Sequence, residues 1–264
     1  MKAIDSAGDT RPGFAAMKSA GVTLVGRYFG SSSWKCAGKA ECDALKHAGF
    51  DIFACYETTS TMMVDGGYAG GVKGAKAALA GIVLAGGPSQ PFVYFACDTD
   101  TSDTAAVNRY LDGAASVLGS NHVGIYGSYA VCAAALKGHA AKAWQTVAWS
   151  GGKHLASAVL YQHAGQPLGN LHIDYDYNDV LNPDVGQWGK VAPVTGAKNW
   201  YLGVELGDDV KMNAMIASAK VRGDLFFGGA VPLNTPDARD VDALAALLVR
   251  YCTDAAFKAE VDKL

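Results

Sequence analysis

The sequence predicts an α/β fold, a (β/α)8 TIM-like barrel with some outer helices missing, followed by a small C-terminal α+β appendage. Three observations predict it. Strand-like and helix-like segments alternate from residue 2 to about residue 185 with glycine-rich punctuation, as βα units require. The strand-like segments number eight. Several end in acids, at Asp5, Glu57, Asp98 with Asp100, and Asp174 with Asp176, and a parallel barrel gathers such strand ends around one mouth.

The strands are read at 2–5, 23–29, 51–57, 92–98, 122–126, 146–149, 158–162 and 171–175. Helices are read at 10–20, 40–48, 67–84, 104–118 and 128–137, where Ala, Leu or Val recurs at three- and four-residue spacing. Asp103 and Ser128 precede two of these runs as caps, while Gly21, Gly49 and Gly119 follow others as stops. The links after the sixth and seventh strands are too short for full helices, hence the incomplete outer ring. Alternation ends near Asn182-Pro183 and Gly186–Gly189, and a boundary is placed there: a barrel at 1–190 and an appendage of unknown role at 191–264. In the appendage a strand is read at 199–206 and helices at 211–220 and 241–252.

Of 264 residues, 50% are hydrophobic and 18% charged, enough apolar material for a sizeable core. A net charge of −3 without a Lys/Arg cluster argues against a nucleic-acid partner, which needs a basic patch. The longest apolar runs fall short of a membrane span, and the N-terminus enters a strand at once, so neither membrane insertion nor an export signal is expected. The six cysteines are too scattered for a disulfide scaffold; Cys36 and Cys42 flank a loop and are the one pair close enough in sequence to consider. No zinc-type spacing appears, and no metal or cofactor is expected.

Within 92–100 side chains alternate, placing Tyr94, Ala96, Asp98 and Asp100 on one face and Val93, Phe95 and Cys97 on the other. Carboxyls brought close push their proton affinities apart, which lets one site hold a protonated acid beside an ionised partner, as glycosidic cleavage needs. Taken alone, the run from Asp98 to Asp103 equally fits a polar turn capping a helix, and an N-terminal Asp5 fits a solvated turn. Asp174 and Asp176 share a face of the last strand, and in a closed barrel that strand lies beside the first, so Asp174 is expected to neighbour Asp5. The coincidence of these acids carries the inference. Tyr28, Tyr56, Tyr126, Trp149 and Gln162 recur at the same strand ends and, with Glu57 and Asp176, form the substrate-binding candidates, although aromatics also fill barrel cores. Gly66–Gly71 has neither phosphate-binding fingerprint, and Gly124–Ser128 lacks the GxSxG arrangement of a nucleophile elbow.

Taken in order, Ile4-Asp5-Ser6, Tyr94 to Asp100, Gly124 to Ser128, Val147 to Trp149, Leu160 to Gln162 and Ile173-Asp174 resemble the strand ends of glycoside hydrolase family 25 lysozymes. The resemblance is nearer still to the glycoside-hydrolase-like domain of actinobacterial secreted proteins and phage lysins, and covers about residues 2–188. It implies a muramidase-like, peptidoglycan-degrading enzyme, with Asp98, Asp100, Asp5 and Asp174 as the catalytic set. The family's Asp-x-Glu pair falls on Asp98 and Asp100, so an Asp one methylene shorter stands where the resemblance places the general acid Glu. It further implies Asp100 as proton donor, Asp98 as charge stabiliser, and Asp5 and Asp174 as orienting groups. The partner expected is peptidoglycan or a related cell-wall polysaccharide, with virion or self-association through the C-terminal part. The expected location is a phage-encoded protein released to the wall or carried on the virion, otherwise extracellular. The competing expectations are a barrel that only holds glycan, as a wall-binding or virion structural protein, and a barrel hydrolase of another bond, such as an amidase.

Overall fold

The computed structural model describes residues 1–32 and 34–189, together with the backbone of two short strands further on. The chain divides into two compact units, Met1–Val191 and Ala192–Leu264. In the first, eight strands close into a barrel in sequence order: β1 (Lys2–Asp5), β2 (Val22–Tyr28), β3 (Asp51–Tyr56), β4 (Val93–Ala96), β5 (Val123–Gly127), β6 (Lys142–Thr146), β7 (Leu160–Gln162) and β8 (Asp176–Val180). The outer helices are α1 (Phe14–Ser19), α2 (Lys39–His47), α3 (Met62–Leu84), α4 (Thr104–Leu118) and α5 (Tyr129–Ala135). No helix separates β6 from β7 or β7 from β8, so the barrel with an incomplete outer ring is borne out.

The eighth strand departs from expectation. It lies at Asp176–Val180 instead of 171–175, and it pairs antiparallel with both β1 and β7. A parallel return needs a crossover, normally a helix, and the thirteen residues between β7 and β8 form none, so the chain returns in the opposite sense. The N-terminal end of β8 therefore lies at the mouth. The sixth strand is likewise earlier than read, at Lys142–Thr146, which brings Trp144 into the barrel and leaves Trp149 in the following turn.

Strand alternation then sorts the core. Leu24, Phe53, Cys55, Tyr94, Ala96, Tyr126 and Trp144 fill the barrel interior, while Val25, Ile52, Ala54, Tyr56, Val93, Phe95 and Cys97 pack under the helices. Trp144 sits among the rings of Phe53, Tyr94 and Tyr126, with centroids at 5.1, 5.9 and 4.6 Å. Gly26 is the register partner of Asp5 and must be glycine, because a Cβ there would lie 2.8 Å from Asp5 Cβ and collide with the Phe53 ring. The glycine-rich stretch that the sequence left unexplained forms the face of α3 against α4: a Cβ at Gly71 would run into the Tyr110 carbonyl, and one at Gly113 into that of Tyr68.

Beneath the mouth, Arg27 is 1% exposed and forms a two-toothed ion pair with Glu41 of α2, at 2.8 and 3.1 Å. Arg27 also donates to the carbonyls of Ser6 and Lys35, and Glu41 accepts from the Thr10 amide and hydroxyl. One buried cluster thus ties the loops after β1 and β2 to a helix, satisfying the charges it buries.

In the second unit a two-residue pair is described, β9 (Trp200–Tyr201) antiparallel to β10 (Val204–Glu205), inside the segment read as one strand. The helices expected at 211–220 and 241–252, and Cys252, lie outside the described residues. Cys36 and Cys42 are both free thiols in this structure. No helix among the described residues is long and apolar enough to cross a membrane.

Candidate active site

Asp5 ends β1 and is only 4% exposed. Its Oδ2 accepts from Asn178 Nδ2 at 2.7 Å and from Gln162 Nε2 at 3.1 Å, which leaves Oδ1 to carry a proton. Burial first, then the charge of Asp176, raises its pKa to about 7, against the pull of the two amides. Asp176 is the register partner of Asp5 across the antiparallel pair. It is also raised, by desolvation and then by Asp174 and Asp98. Asn178 is held in turn by Trp144 Nε1 at 2.6 Å, and Gln162 Oε1 accepts the Tyr126 hydroxyl at 2.7 Å. Polar groups from four strands thus orient one buried carboxyl.

Asp98 follows β4 by two residues and is half-buried. Tyr126 Oη lies 3.5 Å from its Oδ1; since that hydroxyl has one proton and a shorter bond to Gln162, the contact is weak. Burial and then the nearby Glu57 raise the Asp98 pKa, with Tyr126 and Lys35 acting against them. Glu57 is buried and salt-bridged to Lys35 at 2.6 Å.

A cleft of about 440 Å³ opens at this mouth, lined by Asp5, Ser6, Tyr28, Trp34, Asp174 and Asp176 among others. Asp98 lies outside that lining and connects to it through Tyr126, Gln162 and Asp5. Among the described residues, no group of three or more His, Cys, Asp or Glu side chains is placed to hold a metal ion.

The structure therefore brings Asp5, Asp98, Asp176, Glu57, Tyr28, Tyr126 and Gln162 to one end of the barrel. Asp174 is exposed on the loop before β8, bonded to Gln166 Nε2 at 2.8 Å, and the neighbour of Asp5 expected there is Asp176, because the strand starts later and runs the other way. Asp100 is exposed and, among the described residues, has no hydrogen-bond or ion-pair partner. Tyr56 departs from its expected place: it has the opposite parity to Phe53 and Cys55 and packs on Phe95 beneath the helices. Trp149 stands in a turn with a φ of 55° and is not on a strand. Sequence reasoning missed Asn178, Trp144, Lys35 and Trp34. Extending the alternation Asp174, Asp176 by one step would have reached Asn178; nothing in the sequence singles out Lys35.

A family model described as "Rv2525c-like, glycoside hydrolase-like domain" matches residues 15–180, from α1 to the end of β8. A crystal structure of the Tat-secreted protein Rv2525c of Mycobacterium tuberculosis in complex with L-tartrate is similar, with 25% identity and a TM-score of 0.63 over 71% of this chain and 98% of that one. A second crystal form of that protein, with HEPES, gives a TM-score of 0.62 at the same identity and coverage. An uncharacterized B. stearothermophilus protein shares the fold at 16% identity and a TM-score of 0.53, over 68% of this chain and 95% of that one. Comparison with curated protein sequences gives no match.

Proposed function

Since the chain belongs to the Rv2525c-like family of glycoside hydrolase-like domains, we propose that it is a carboxylate glycosidase acting on the glycan strand of bacterial peptidoglycan. One observation carries the reading: Asp5, Asp98 and Asp176 gather at one mouth, where burial raises the proton affinity of Asp5 and of Asp176 and the neighbouring Asp98 adds to both. Glycoside hydrolysis needs a protonated acid at the leaving oxygen and an ionised carboxylate for the positive charge that develops on the sugar.

Asp98 takes the first role, being half-buried and raised and joined to the cleft lining through Tyr126, Gln162 and Asp5. Asp176, exposed in the cleft lining, takes the second. Asp5 is too deep to reach a sugar and acts as the buried proton store that sets the charge of the pair. This assignment moves the proton donor from Asp100, the position implied by the family resemblance, because Asp100 is exposed and, among the described residues, has no hydrogen-bond or ion-pair partner, whereas Asp98 is half-buried among Glu57, Tyr126 and Lys35. The likeness to a Tat-secreted protein supports an extracellular site of action; the similar structures give no support to a phage or virion origin.

Product analysis tests the reading. Digestion of purified peptidoglycan is expected to release reducing sugar ends without new free amino groups; new amino groups would make it an amidase. The exposure of Asp100 favours a second reading, a barrel that binds glycan and leaves it intact, which predicts wall binding with neither product.

A further inference from the structure

Trp34 is the most exposed tryptophan among the described residues, at 73%, and lines the cleft beside Tyr28. Lys35 Nζ lies 4.6 Å from the Tyr28 ring centroid and 5.9 Å from that of Trp34, and it is anchored by Glu57 Oε2 at 2.6 Å. The backbone of the same loop is fixed as well. Tyr28 bridges Cys36, the Ala37 amide donates to the Tyr28 carbonyl at 3.0 Å, and the buried Arg27 donates to the Lys35 carbonyl. Leaving an indole exposed while spending a buried ion pair on its neighbour has no evident packing benefit.

We propose that Trp34 and Tyr28, clamped by the Lys35–Glu57 pair, form a sugar-stacking subsite that selects an uncharged, hydroxyl-rich pyranose; this rests on the glycan reading above. An indole face accepts the C–H face of a sugar ring. Asp174 and Asp176, exposed in the lining of the same cleft, accept hydrogen bonds and donate none when ionised, so they suit hydroxyl and amide donors and repel carboxylate or phosphate. Lys35 does not relieve that repulsion, since it lies outside the cleft lining and its charge is engaged by Glu57. Glu57 is therefore a positioning residue acting through Lys35 on the rings, and not a group that touches substrate.

The test is binding of a neutral N-acetylglucosamine tetrasaccharide and of a tetragalacturonate, each followed by calorimetry on the full chain. The wild type is expected to bind the neutral probe and to bind the uronate at least about tenfold more weakly. Trp34→Ala is expected to weaken the neutral probe about tenfold, with Trp34→Phe restoring most of the loss. Lys35→Met is expected to weaken it to a smaller degree with folding intact by circular dichroism. Unchanged affinity in a folded Trp34→Ala, or preference for the uronate, overturns the proposal. No binding of either probe by a wild type that cleaves peptidoglycan overturns it too, and leaves the glycosidase reading standing; binding through Trp34 without any cleavage upholds the subsite and removes the hydrolytic function.

Discussion

Asp5 on β1 and Asp176 on β8 are register partners across an antiparallel strand pair, and the Gln162 side-chain nitrogen reaches both carboxylates, at 3.1 and 3.4 Å. One amide shared between two acids leaves them short of compensating charge. Burial raises both proton affinities, Asp176 adding to the rise at Asp5 and Asp174 with Asp98 to the rise at Asp176, and this gives the mouth its pH sensitivity.

The Asp5 carboxyl is raised from 3.8 to about 7 in the folded protein. Between those values the folded chain binds more protons than the unfolded one, so wild-type stability falls as pH rises through that window. Asp5→Asn keeps the shape and an oxygen for the two amide donors while removing the ionisation. Urea denaturation at a series of pH values is expected to show the wild type losing about 2–4 kcal/mol across the window and Asp5→Asn losing little.

Glu41→Ala leaves the Arg27 guanidinium buried without a counter-charge. The expected cost is about 3–5 kcal/mol in denaturation free energy. Replacing both partners, as Arg27→Met with Glu41→Leu, is expected to recover a large part of it, because the stranded charge is then gone.

Gly71→Ala places a methyl group against the Tyr110 carbonyl, a backbone atom that moves only if α3 and α4 separate. We expect a loss of about 1–3 kcal/mol, read from the thermal midpoint. Ala in place of the open Gly21 has nothing within 4 Å to meet, so any loss there comes from its φ of 78° alone.

Tyr56 on β3 and Tyr126 on β5 face opposite ways, one under the helices and one inside the barrel. Tyr126→Phe removes the hydroxyl bonded to Gln162 and is expected to lower glycosidase activity about tenfold or more, whereas Tyr56→Phe is expected to leave it within about twofold. Steady-state release of reducing ends by the two variants checks this.

These contrasts show what the sequence made legible. α4 falls at its expected bounds, Thr104–Leu118, because Asp103 caps it through the Ala106 amide and Gly119 ends it with a φ of 88°. β1 is likewise where the apolar run and its terminal acid place it. Local chemistry of this kind is written in neighbouring residues. The sense of β8 is not: it depends on thirteen residues failing to form a crossover helix, and so Asp176 replaced Asp174 beside Asp5. The same limit hid Lys35, whose importance comes from Glu57, 22 residues away. Tyr56 was misplaced for a simpler reason, since a strand end alone does not say which parity faces inward.

The most direct measurement is the release of reducing ends from purified peptidoglycan by the wild type, Asp98→Asn and Asp100→Asn, each shown to be folded. Activity in the wild type, a fall of at least about 100-fold in Asp98→Asn and a change within about threefold in Asp100→Asn are the expected results. A wild type that binds the wall and releases nothing, or an Asp98→Asn variant as active as the wild type, would contradict catalysis by this carboxylate cluster.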